Sequence, residues 1–379
     1  MIEPSPPRDA PSVFVLFRDS ELRRDALRAP VGDPSRYSLY GLDELRAAGF
    51  AVDHDLEPRY EPSARVRAGA RVLDRAVKLG GGYSGDFARV LASATGFNRA
   101  DVVFSTVDTV GIPLALLGRL GRVRPPVVYA AIGLPERLAQ LRGGAARRLF
   151  ASAFRRLDTV VAYAWSEVEE LQTWLDGRGP KVEFVPFGVD SEYFHPEAEA
   201  AIEYDVVSIG ADPRRDFALL LDVARRQPDR SLLVVASADN ARALGALPRN
   251  IRLEVNVPFS RVREYLLAAH VVALPVRENS YSGATTTLLQ GMACAKPVVV
   301  SSTAAITRGY HLEDGVNCRL VPPGDAAALE RALLDLLDDP TQAEALGHAA
   351  RKTVARHLTW AGYTQALGRL LADAADRAA

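Results

Sequence analysis

At 379 residues the chain exceeds what one simple core organises, and an apolar content of 48 % allows two sizeable cores. Its 46 basic and 47 acidic residues leave a net charge of −1, which excludes a global field for nucleic acid or an anionic bilayer, so a phosphate site must be local. The six histidines, at 54, 195, 270, 311, 348 and 357, show no ligand spacing and predict no metal site.

In chain order, the opening MIEPSPPRDAPS lacks a basic start followed by a long apolar run, so it reads as a loose tail and not as a signal peptide. Short apolar runs then alternate with helical patterns: SVFVLF (12–17), DVVFST (101–106), PVVYAAI (126–132) and TVVAYA (159–164), followed by DVVSIG (205–210), SLLVVAS (231–237), HVVALPV (270–276) and KPVVVSS (296–302). Continuous Val-rich strands separated by helices predict parallel sheets covered on both faces, hence an α/β class. No run approaches the roughly 20 residues that cross a bilayer. Peripheral membrane attachment through the Arg-rich segment 141–156 is weighed against a solvated helix face.

The stretch FVPFGVDSEYFHPEAEA (184–200) breaks the rhythm with Pro186, Gly188 and Pro196, and is taken as a boundary between residues 1–187 and 188–361. Each half carries its own strand–helix series, predicting two doubly wound domains that face each other across a cleft with one reactant on each. Cys294, in a predicted buried helix, and Cys318, near a strand, are read as structural thiols of a reducing cytoplasm.

Residues 278–300, ENSYSGATTTLLQGMACAKPVVV, read as loop, helix and strand. Gly, Ser and Thr are poor helix formers, yet Leu288, Leu289, Met292 and Ala293 follow at helical spacing, and Pro297 ends the pattern before a β-branched run. A helix start built from small residues leaves backbone N–H groups unpaired at the positive end of the helix dipole, which suits an anion. The alternative is an ordinary N-cap by Ser282 or Thr285 with nothing bound.

FVPFGVDSEYFHP, SIGADPRRD, LLQGMACAKPVVVSS and DGVNCRLVPPGD (314–325) together resemble, in the same order, the donor-binding half of GT-B glycosyltransferases of the retaining family-four type. The resemblance covers most of residues 184–360; the first half matches only in its strand–helix plan. It implies a GT-B fold of two Rossmann-like domains. Residues 1–187 would bind the acceptor, with a final helix over 362–379 crossing back to them, and residues 188–361 would bind the donor. It implies a metal-independent transfer, with retention, of a sugar from a nucleotide-diphosphate sugar to an acceptor hydroxyl, the departing phosphate taking the acceptor's proton. The acceptor class stays open among glycan, lipid-linked and small molecules, and neither a cofactor nor nucleic acid is implied.

Carried over residue by residue, Gly210, Ser282, Gly283, Ala284, Thr285 and Thr286 would cradle the diphosphate, with Gly283 letting the backbone approach closely. Arg214 and Arg215 stand where the family carries a basic residue that reaches the same phosphates and offsets leaving-group charge, and Asp216 would orient one of them. The alternative is a solvated turn with a surface ion pair. The family's two donor-site carboxylates fall on Ser282 and Gln290; Gln290 would accept from ribose hydroxyls through its amide oxygen, and Glu278, four residues early, could replace the first carboxylate only if the loop shifts. By analogy the base lies near Asn256, Val257, Pro258 and Phe259, with Phe259 as plain core the alternative. On the acceptor side Ile132 and Gly133 occupy the position of a frequent family His, leaving Asp108, Glu136, Arg137 and the LGGGYSGDF segment (79–87) as candidates beside a reading as turns and caps. A noncatalytic sugar-nucleotide-binding subunit and a GT-B nucleotide-sugar epimerase are the alternative functions.

Overall fold

A computed structural model describes residues 11–197, 200–281 and 283–378, so Ser282 and the predicted tail up to residue 10 lie outside the described residues. The chain divides into two compact units, residues 1–185 with 364–379 and residues 186–363. The long last helix, Trp360–Ala378, runs from the second unit into the first.

In the first unit, β1 (Ser12–Leu16), β2 (Ala51–His54), β3 (Val102–Ser105), β4 (Val127–Ala131), β5 (Thr159–Ala162) and β6 (Lys181–Phe184) form a sheet in the order β2-β1-β3-β4-β5-β6. In the second, β7 (Tyr204–Gly210), β8 (Leu232–Ala236), β9 (Ile251–Val255), β10 (Ala269–Leu274), β11 (Val298–Ser301) and β12 (Arg319–Val321) form another in the order β12-β11-β10-β7-β8-β9. All pairings are parallel, as in Val13 opposite Val102 and Val206 opposite Leu232. A parallel ladder needs crossovers over both faces, and the helices that make them bury the strands. Thus Phe14, Val103, Tyr129 and Val160 pack with Val110, Leu114 and Phe154 in one core, and Val206, Leu232, Ala273 and Val299 pack with Leu220, Leu329 and Leu333 in the other.

The eight apolar runs are the eight inner strands. β2, β6, β9 and β12 have no such run, and each includes partly exposed positions. They are the four sheet edges. In each sheet the chain adds strands on one side of its first strand, then turns to the other, so the order reverses between β1 and β3 and between β7 and β10. Ligands of open α/β sheets lie beyond the carboxyl ends of the strands at that reversal. Both cysteines are free and buried. Among the described residues no helix is long and apolar enough to cross a membrane, and no group of three or more potential metal ligands is gathered.

Candidate functional site

At the reversal in the second unit, the loop after β7 meets the loop after β10. Asp212 folds the first loop on itself, its Oδ1 accepting from Arg214 N at 2.6 Å and its carbonyl from Arg215 N at 3.1 Å. The loop is stitched to the second by Asp216 N donating to Pro275 O and Arg277 N to Arg214 O, both 2.9 Å, and by Tyr281 Oη donating to Asp212 Oδ1 at 3.1 Å. Gly210, Arg214, Arg215, Glu278, Gly283, Ala284 and Thr285 thereby lie on two joined loops and the helix that follows. The bond between Asp212 and Tyr281, which helps make the join, spans 69 positions, so no local pattern marks it.

The helix spans Thr285–Ala293 and no side chain caps it. Its first closing bond runs from Leu288 N to Ala284 O at 2.9 Å, so the N–H groups of Thr285, Thr286 and Thr287 have no partner among the described residues. The Ser282 N-cap alternative lies outside the described residues, and the Thr285 alternative is not realised, since its buried Oγ1 has no hydrogen-bond partner. The left-handed turn into the helix falls on Ala284, at φ 67°. Thr286 is exposed and Gln290, four residues on, lies on the same helix face with only 3 % exposure.

Arg215 also differs from expectation. Instead of reaching outward it folds beneath the loop and is 3 % exposed. Nη2 donates to Ile209 O, while Nε and Nη1 are buried without a partner. The guanidinium occupies the space a Cβ on residue 210 would take, which is why β7 ends in Gly210. Burial pushes its pKa down to about 10, against the pull of Asp212. The result is a sealed cation beneath the loop after β7, with Asp212 as its anionic neighbour. Asp216 is not its orienter; that carboxylate lies 3.7 Å from Arg277.

Glu278 is corrected as a stand-in for the family's first carboxylate. Its Oε1 accepts from Asn279 N at 3.2 Å and Ala304 N at 3.0 Å, so it braces this loop against the segment after β11. Asn279, buried at 6 % exposure, donates to Arg277 O at 2.7 Å and leaves Oδ1 unpartnered. Pro258 starts the Phe259–Leu267 helix after the edge strand β9. The Phe259 ring stacks on Tyr193, with centroids 6.0 Å apart, and meets Phe194 edge-on at 5.7 Å, the packing role weighed as its alternative.

In the first unit, Asp108 begins the helix after β3. Its Oδ1 accepts from Tyr129 Oη at 2.6 Å and Ile132 N at 3.1 Å, and its Oδ2 from Arg137 Nε at 2.7 Å. Arg137 lies over the Tyr83 ring, 3.9 Å from its centroid. Glu167, unmarked by any motif, accepts from Gly133 N at 2.9 Å and Leu134 N at 3.2 Å, and burial pushes its carboxyl well above the usual range. At the β1–β3 reversal, Asp55 accepts from Phe17 N at 3.0 Å and is pushed up to about 8 by burial.

Residues 205–339 match the glycosyl transferases group 1 family. Among curated proteins, alpha-maltose-1-phosphate synthase of Mycobacterium tuberculosis is 28 % identical over 46 % of this chain and 52 % of its own. D-inositol 3-phosphate glycosyltransferase of Kineococcus radiotolerans is 30 % identical over 52 % and 53 %. The chain thus spans about half the length of the curated relatives it matches. Among solved structures, sucrose-phosphate synthase from Thermosynechococcus elongatus superposes with a TM-score of 0.72 at 19 % identity, over 96 % of this chain and 98 % of that one. HepE from Anabaena, solved with UDP-glucose, gives 0.65 at 14 % over 96 % and 100 %. The loops that build the site lie inside the matched segment. The similarity to the glycosyl transferases group 1 family is thus carried by residues 205–339, on a chain with a GT-B fold.

Proposed function

We propose that the protein moves a sugar from a nucleotide-diphosphate sugar to an acceptor hydroxyl, with residues 188–361 holding the donor and residues 1–187 the acceptor. The observation that carries this reading is the helix start at Thr285, whose three N–H groups have no partner among the described residues, on a loop joined to the one that holds the buried Arg215 cation. The diphosphate takes the N–H groups of Thr285 and Thr286 and the free Thr285 hydroxyl. Gln290 accepts from the ribose, and Arg214 is the candidate for direct contact from the loop after β7. Arg215 acts through its charge, without touching the ligand. As the bond to the anomeric carbon breaks, negative charge grows on the departing phosphate, and donors already fixed in place stabilise it without rearranging. The fixed cation and helix start supply positive charge, so the reading assigns the leaving group no metal. The departing phosphate oxygen takes the acceptor's proton on the same face, giving retention.

The free cysteines are compatible with a reducing cytoplasm. HepE, solved with UDP-glucose, supports the donor class, while the base, the sugar and the acceptor stay open. A second reading, a noncatalytic sugar-nucleotide-binding subunit, is favoured by one feature: an amide at Gln290 where the resemblance implies a carboxylate.

Calorimetry with UDP, GDP, ADP and dTDP, followed by nucleotide release from the matching sugar donor with an acceptor panel, tests both. Binding with release is expected. Binding without release selects the second reading, and no binding of any nucleotide overturns both.

A further inference from the structure

The helix Ala64–Leu79 carries Arg65, Arg67, Arg71, Arg75 and Lys78, with Asp74 as its single acid. None of the five cations has an ion-pair partner among the described residues, whereas several cations elsewhere do, as Arg24 with Asp19, Arg226 with Glu330 and Arg377 with Asp158. Arg67, Arg71, Arg75 and Lys78, at steps of four, four and three, form one stripe along the helix. Ala68, Val72 and Leu79 form the stripe beside it, with Val72 65 % and Leu79 84 % exposed.

The cationic surface continues past the helix end. Arg142 N donates to Gly80 O at 2.8 Å, and Gly82 lies against the Phe150 ring, so the next helix, Gly143–Phe154, begins where this one stops. Arg142, Arg147 and Arg148 lie there, likewise without ion pairs, beside Leu149 at 48 % exposure.

We propose that this surface docks on an anionic lipid bilayer. The guanidinium and ammonium groups meet headgroup phosphates, and Val72, Leu79 and Leu149 enter the boundary between headgroups and acyl chains, while the long cationic side chains keep their charge at the surface. A chain with net charge −1 gains nothing from its overall field, so attraction comes from this local concentration of unpaired cations. The exposed apolar residues are aliphatic. Nucleic acid, by contrast, is held by aromatic side chains that stack on bases, and none stands in either stripe.

Flotation of the full chain with vesicles tests this. It floats with mixed phosphatidylcholine–phosphatidylglycerol vesicles and stays behind with phosphatidylcholine alone. Each cation at an anionic surface is worth about fivefold in partitioning, so Arg71→Gln with Arg75→Gln lowers vesicle binding about thirtyfold. Leu79→Asp also lowers it while leaving nucleotide affinity unchanged. No flotation with the mixed vesicles, or flotation unaffected by the double variant, overturns the proposal. So does wild-type binding to a single-stranded oligonucleotide that matches its vesicle binding and is lost in the double variant.

Discussion

Replacing Arg215 by Met tests the link between a buried charge and donor affinity, because the two effects have opposite signs. Burial lowers the guanidinium's pKa to about 10. At about 1.4 kcal/mol per pH unit, holding the charge there costs the apo protein about 3 kcal/mol. A methionine of similar reach removes that cost and loses the bond to Ile209 O, which takes back about 1–2 kcal/mol. Apo Arg215→Met is therefore more stable by about 1–2 kcal/mol, roughly 3–6 °C in the melting temperature of a unit this size. Nucleotide-diphosphate binding moves the other way. Removing a cation close to two phosphates, in a site sheltered from water, costs about 1.4 kcal/mol or more, a loss of tenfold or more. Differential scanning fluorimetry and calorimetry on one preparation read both numbers. A variant with a lower melting temperature and unchanged affinity would show Arg215 to be a plain structural brace and refute the reasoning.

Three further outcomes are expected. Asp212→Asn keeps an oxygen for Arg214 N and Tyr281 Oη but removes a carboxylate close to Gly283, so nucleotide diphosphate binds about fivefold tighter in low salt; weaker binding in calorimetry contradicts the placement. Gln290→Glu retains turnover, since the ribose needs an acceptor at that position, and complete loss of nucleotide release with donor binding intact removes Gln290 from the ribose role. Asp55, with a folded pKa raised to about 8, lends stability that is fully present below the unfolded value near 3.8 and is lost as pH rises through 8. Asp55→Asn does not titrate, so its stability advantage over wild type grows between pH 4 and 8, by up to about 1.4 kcal/mol per pH unit, and then levels off; parallel urea-melt curves across that range exclude the buried acid.

The site was legible in part. Small residues running into a helical pattern at 282–293 mark a helix start in any context, because Gly, Ser and Thr lose most in a helix interior while leucines at that spacing need a core. Which residue takes the left-handed turn was not, and Ala284 holds it because the loop is pinned from outside, by Asp212 through Tyr281. The basic pair after β7 was equally visible. The direction of each side chain was not: Arg215 turns inward because Gly210 leaves a hole beneath the loop, and Glu278 turns to Ala304 N, 26 positions away. Such partners are set by which loops the sheet brings together, and local sequence carries no record of them.

The same division runs through the fold. A strand flanked on both sides and covered on both faces is apolar at most positions, so β1, β3, β4, β5, β7, β8, β10 and β11 announce themselves as apolar, mostly Val-rich runs, and their alternation with helices fixes a parallel α/β class. An edge strand is half solvated and can carry the charged residues of AVDH, KVEF, IRLEV or RLV. Its strand geometry comes from the ladder offered by its neighbour, so β2, β6, β9 and β12 exist as strands because β1, β5, β8 and β11 were already in place. The sequence by itself therefore determined the interior of each sheet and the start of the helix at Thr285, through burial and backbone propensity; tertiary structure alone decided the edges, the inward fold of Arg215 and the join between the two loops, since each depends on how the folded sheet arranges its loops and neighbours.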